Sequence, residues 1–155
     1  MDTLNPNGAA GLGTVYYMLA GMGGDDLYTE DGIALSFTAR FAETMRYDHD
    51  RGAWYVWAVD KTGAAREEIR QIARELSAKG DKTERNAMRK NSFIGGVERH
   101  ARHDRAHAVT SEIWDKDPYL LGTPGATIDL KTGARRSPDP TDNITKLCAV
   151  SPESK

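Results

Sequence analysis

Within KTGAAREEIRQIARELSAKGDK, residues 61–82, the apolar side chains Ile69, Ile72, Ala73 and Leu76 fall at i, i+3, i+4 and i+7. That spacing predicts an amphipathic helix with Glu67, Arg70, Arg74 and Lys79 on its outer face. Glu67 is spaced to pair with Arg70. Gly80 is expected to end the helix. A helix with one apolar stripe must bury it against another layer, which constrains the whole chain. A second helical stripe, Ala87, Ile94, Val97 and Ala101, follows. Thr83 is a candidate cap for it, and Gly95-Gly96 predicts a kink, a break into two helices or a close helix–helix approach. Upstream, Thr29 is placed to cap a helix whose first turn carries Glu30 and Asp31 and whose stripe is Phe37, Phe41 and Met45.

Strand signals flank this helical middle. AWYVW after the Asp50-Arg51-Gly52 turn predicts a hairpin over residues 46–59, with Trp54 and Val56 on one face and Tyr55 and Trp57 on the other. Both faces are apolar, which predicts cover on both sides. Pro118 ends any helix near Trp114. ATIDL alternates, with Ile128 opposite Thr127 and Asp129, and Lys131-Thr132-Gly133 suits a hairpin loop. SPDPTD reads as a rigid connector, and NITKLCAV as a last strand. The expected fold class is α+β: a helical core of three to four helices flanked by two β-hairpins. Residues 1–26 read as a flexible glycine-rich leader, 27–150 as the domain and 151–155 as a tail. The leader has no Lys or Arg before its uncharged run, and six glycines interrupt that run. It therefore fits neither a signal peptide nor a membrane span. A single cysteine, Cys148, fits a reducing, cytoplasmic setting.

The net charge of −2 conceals an asymmetry. Residues 1–60 hold three Lys/Arg against nine Asp/Glu, whereas residues 61–107 hold twelve against seven, with three of the four histidines. Arg85, Arg89, Lys90, Arg99, Arg102 and Arg105 are thus candidate nucleic-acid contacts. The plainer reading, a solvated helical surface, is favoured on composition alone. Asp115-Lys116-Asp117 and Asp48-His49-Asp50 are D-x-D pairs of the kind that holds Mg²⁺ on a strand. One lies before a proline and the other at a turn, where Asp serves the backbone, so metal catalysis is disfavoured. His100, His103 and His107 could share a helix face and bind zinc, but they lack the H-E-x-x-H pattern. KGDKT and GAAGLG lack the spacing of phosphate loops. Trp54, Trp57 and Trp114 could stack on bases but are read chiefly as core. No catalytic residue, metal or cofactor is assigned.

The segment SEIWDKDPYLLGTPGATIDLKTGARRSPDPTDNITKLCAV resembles the end of the domain that precedes the superfamily-3 helicase module in phage and plasmid primase–helicases. The poxvirus nucleoside triphosphatase/primase carries a related domain. The pattern that carries the likeness is Trp114, Asp115, Asp117, Pro118, Leu120, Leu121, Thr127, Ile128, Asp129, Leu130, Thr132, Gly133, Ile144, Thr145 and Lys146. Ala126 stands where glycine is usual. LYTEDGIALSFTARFAETMRY, GAWYVW with Trp54 and Trp57, and FIGGVERHARHDRAHAVTSEIWD extend the resemblance over residues 27–150. AVDKTG after Trp57 departs from the family, as if the hairpin were clipped.

The resemblance implies a non-catalytic domain that supports ring assembly and DNA engagement by a helicase module, with that module beginning soon after Lys155. The chain would then be an excised domain, a truncated prophage product or a stand-alone relative. The implied partners are a helicase module or other replication subunits, with DNA and a homo-oligomer compatible and no membrane. Two other readings stand beside it: a stand-alone nucleic-acid-binding adapter using the basic helices of residues 61–107, and a metal-dependent nuclease using Asp115/Asp117 or the histidines.

Overall fold

The computed structural model describes residues 24–57 and 64–150. The described residues open with a 3₁₀ turn at Gly24–Tyr28, then α1 (Glu30–Phe41), β1 (Met45–Asp48) and β2 (Ala53–Val56). Three helices follow: α2 (Ala64–Ser77), α3 (Lys82–Met88) and α4 (Asn91–His103). After them come β3 (Ala108–Val109), a 3₁₀ turn at Ser111–Ile113, β4 (Leu120–Thr123), β5 (Ala126–Asp129), β6 (Arg135–Arg136) and a 3₁₀ turn at Pro140–Asp142. The fold is α+β, as expected, with four helices and two three-stranded sheets among the described residues. Each predicted hairpin has gained a strand. β3 adds in parallel to β1, giving the order β2-β1-β3, and β6 adds to β5, giving β4-β5-β6.

The core lies among α1, α2 and α4. Ile33, Phe37, Ile69, Ile72 and Val97 are each at most 1% exposed, and Met88, Ile94 and Ala101 close the cluster. Each such side chain contributes about 1.5–3 kcal/mol by leaving water. Trp54 and Val56 pack on this cluster from the first sheet. The two share a face of β2, as the alternation predicted, and that face is the inner one. Glu98 is buried in α4 between Arg66 (3.0 Å) and Arg102 (2.5 Å), so a charge inside the helical layer is paired on both oxygens.

Several boundaries differ from expectation. α1 ends at Phe41, so Met45 reaches the core from β1 and not from the helical stripe. Thr29 does cap α1, accepting the Gly32 N–H at 3.0 Å. α2 ends at Ser77, and Gly80 has no left-handed backbone. Arg85 closes that end by donating to the carbonyls of Ser77 and Gly80. Asp81, not Thr83, caps α3, through a reciprocal pair of bonds with Glu84. The chain does form two helices, but the break falls at Arg89-Lys90. Gly95 and Gly96 lie inside α4. A Cβ at Gly96 would collide with the Glu30 carboxylate, so this glycine serves close approach to the start of α1. On β5 the buried residues are Ala126 and Thr127, one from each face of the alternation, while Ile128 and Asp129 are half-buried. NITKLCAV forms no strand. It makes a single bridge, Gly122 to Leu147, and the Cys148 N–H donates to the Gly122 carbonyl at 2.8 Å.

Residues 1–23 of the predicted leader over 1–26, the link after Trp57 and the tail over 151–155 fall outside the described residues. Gly24–Asp26 belong to the 3₁₀ turn that packs on α1. Among the described residues no helix is long and apolar enough to cross a membrane.

Candidate functional site

Asp48, at the end of β1, is fully buried and is the joint between the first sheet and the C-terminal ribbon of β4–β6. Its Oδ2 accepts the Ser111 hydroxyl at 2.7 Å and the Trp114 Nε1–H at 2.8 Å. Its Oδ1 accepts the N–H groups of Asp50 and Arg51, an Asx turn that Gly52 completes with φ of +63°. Asp50 accepts the Ser111 N–H at 2.8 Å. Burial alone would raise the Asp48 carboxyl. The bonds from Ser111, Trp114, Arg51 and Asp50 outweigh it and hold the group below the usual carboxylate range. Tyr55 lies under Trp114 with ring centroids 4.5 Å apart, so the outer face of β2 is covered there by the ribbon's own approach segment. Arg51 donates to the Tyr55 hydroxyl at 2.7 Å.

Asp115 is the second joint. Its φ of +51° is left-handed, and Asp tolerates that conformation better than most residues. Its carboxylate accepts the Thr145 N–H at 2.8 Å, the Thr145 hydroxyl at 2.5 Å and the Lys146 N–H at 3.3 Å. Burial again opposes ionisation, and these bonds with the Lys146 charge again prevail, leaving the carboxyl lowered. Trp-Asp and Thr-Lys, 30 residues apart in sequence, are therefore one clasp. Asp117, before Pro118, accepts the Tyr119 N–H at 2.9 Å. Asp129 accepts the N–H groups of Lys131 and Thr132, which lower its carboxyl and shape the loop where Gly133 has φ of +72°. The Thr123-Pro124-Gly125-Ala126 turn between β4 and β5 is served by Gly125 at φ of +80°.

The three tryptophans divide. Trp54 is in the core, 5.6 Å from Phe37 and 5.4 Å from His107 by ring centroid. Trp114 is at the joint. Trp57 is 39% exposed and contributes its N–H to the Thr44 carbonyl. The histidines do not share a face. α4 stops at His103, and His107 is fully buried beyond it, its Nδ1 2.9 Å from the Met45 carbonyl. Burial pushes the His107 imidazole below its ordinary range. His100 and His103 border a cleft of about 450 Å³ with Arg99, Asp31 and Asp104. Among the described residues no three His, Cys, Asp or Glu side chains converge as a metal site requires.

Of the six basic candidates, two are bound into the fold. Arg85 holds the α2 terminus. Arg102 pairs with Glu98, which raises it, and lies 4.9 Å from the Tyr47 ring centroid. Arg89, Lys90, Arg99 and Arg105 are exposed and form no ion pair with the described residues. Sequence reasoning named Asp48 and Asp115 but missed what they hold, Ser111 above all. The available signal was the turn chemistry of each D-x-D, which identified a backbone role without identifying a partner 63 or 30 residues away.

The model of the family described as D5 N terminal like matches residues 34–155. The chain belongs to this family. A D5 N-terminal-like domain is the pre-helicase domain of primase–helicase proteins, so this chain is a primase–helicase-associated domain. No curated protein matches the chain. The D5 N-terminal-like match begins inside α1 and runs through the core, both joints and the ribbon.

Proposed function

We propose that this chain is a non-catalytic domain of a phage/plasmid-type DNA replication primase–helicase, supporting ring assembly and DNA engagement by a helicase module. The observation that carries this reading is the use made of the two D-x-D pairs. Asp48 and Asp115 are committed on both oxygens to donors of the fold, and Asp50 and Asp117 each accept a backbone N–H. Carboxylates engaged in this way build a scaffold and leave little lone-pair capacity for Mg²⁺. The residues of the family pattern lie mostly along the joint, the clasp and the ribbon turns, which supports a role in presenting a rigid platform. The test is a superfamily-3 helicase module with and without this chain joined ahead of it. Sedimentation should show higher ring occupancy with the chain present, and ATP turnover should respond more strongly to DNA. Equal values with and without the chain would refute the proposal. So would nuclease or nucleotide turnover by the chain alone with Mg²⁺ or Mn²⁺ that disappears in Asp48→Asn or Asp115→Asn.

The second reading, a stand-alone nucleic-acid-binding adapter, draws on the four unpaired cations Arg89, Lys90, Arg99 and Arg105. It expects DNA affinity that falls steeply with salt and weakens when all four become Glu. Binding indifferent to both changes removes it.

A further inference from the structure

A surface cleft of about 610 Å³ lies in the C-terminal ribbon, far in sequence from the basic helices. Ile113, Pro118 and Leu120 supply apolar lining. Tyr119 is 47% exposed there, with Lys131 Nζ 3.9 Å from its ring centroid and Lys116 on the same cleft. The Tyr119 backbone is fixed from both sides. Its N–H donates to Asp117 and its carbonyl accepts the Leu130 N–H at 2.8 Å. The ring is thus presented on ordered backbone and needs little further ordering to receive a ligand.

The charge balance favours an anion. Two carboxylates also line the cleft, but Asp142 is paired with Arg136 at 2.5 Å, and Asp117 has one oxygen engaged by the Tyr119 N–H. The two lysines form no ion pair with the described residues. Asn143, held at φ of +50°, donates its amide N–H to the Thr141 carbonyl, and its amide oxygen takes no hydrogen bond from the described residues. An aromatic face, two cations and a free amide acceptor are the complement of a nucleotide: base, phosphate and base edge.

We infer that this cleft takes one nucleotide unit of single-stranded DNA, with Lys131 turning from the Tyr119 ring it now overlies to one flanking phosphate, the base taking its place against Tyr119, and Lys116 meeting the other phosphate. The inference rests on the DNA-engagement part of the function proposed above and gives it a location other than the basic helices. Stacking on a tyrosine accepts any base, so the site discriminates strandedness and not sequence.

The test is fluorescence anisotropy of the full chain with an oligothymidylate of about 15 nucleotides. Tyr119→Ala should weaken binding about tenfold, and Tyr119→Phe should keep it. Lys116→Glu with Lys131→Glu should lower the salt slope by about two contacts. Thymidine monophosphate in competition should displace the oligomer only weakly. If the monophosphate competes as well as the oligomer, the cleft is a free-nucleotide site and the strand assignment is overturned. If the Tyr119 and lysine variants bind normally while Arg89→Glu with Arg99→Glu does not, this site is refuted and the basic helices remain. If the wild-type chain binds no DNA, both DNA sites are lost while the ring-assembly role stands.

Discussion

The helical layer and the C-terminal ribbon belong to one family match yet are held by different forces. α1, α2 and α4 meet through Ile33, Phe37, Ile69, Ile72 and Val97, nearly all without solvent exposure. The ribbon contributes one buried hydrophobic residue, Ala126, together with buried Thr123 and Thr127, and exposes Tyr119, Leu130 and Leu147. Its order comes from carboxylates that accept backbone and side-chain donors: Asp48, Asp115, Asp117 and Asp129. Burial is additive and non-directional, so the helical layer tolerates a shifted boundary. Hydrogen-bonded joints are directional, and each depends on a small number of atoms.

The contrast is broken most directly at Phe37. Phe37→Ala should cost about 3–5 kcal/mol in urea unfolding, because it removes the largest buried ring and leaves a cavity. No ribbon residue should match that loss. Native-state hydrogen exchange sharpens the same point. The Leu130 and Cys148 amides should open at lower free energy than those of α1 and α4, and equal values would mean that the two regions form one cooperative unit.

Acid should separate the regions next. His107, buried under the first sheet, is lowered from its ordinary 6.5, so its neutral form stabilises the fold above that pH. That contribution declines as pH falls from about 6.5 toward the lowered folded value. Asp48 and Asp115 are lowered from 3.8. Their contribution is complete above the unfolded value and is lost as pH falls through the folded one. Urea midpoints against pH should show two declines, the upper one absent in His107→Gln and the lower one reduced in Asp48→Asn. Trp114 emission should change only with the lower decline.

Smaller effects test the ribbon alone. Thr145→Val removes the hydroxyl half of the clasp and should cost about 1 kcal/mol, with faster exchange confined to the segment around Lys146. Gly133→Ala places a Cβ at φ of +72° and should cost about 1 kcal/mol or less, read as a small shift in melting temperature.

The helices were legible because burial repeats. Ile69, Ile72, Ala73 and Leu76 announce α2, and Thr29 announces the start of α1. The break at Arg89-Lys90 was not legible, since two glycines six residues on gave the stronger local signal and the collision at Gly96 needs Glu30 beside it. Met45 fitted a helical stripe by spacing and entered the same core from a strand. On β5 burial follows position along the strand, Ala126 and Thr127 being buried next to the turn and Ile128 half-buried, and the Thr127 hydroxyl is directed to Asp142. At the candidate site, the turn role of each D-x-D was readable, but not the partners.

By itself, then, the sequence determined the class of fold, the helical layer, the hairpin turns and, through its motif order, the family. Periodicity and turn chemistry act within a few residues and leave a trace in the local order of side chains. Only the tertiary structure decided that Asp48 would hold Ser111 and Trp114, that Asp115 would hold Thr145, and which cations stayed free. A hydrogen bond between residues more than sixty positions apart is selected by the geometry of the finished fold, and no local pattern encodes it.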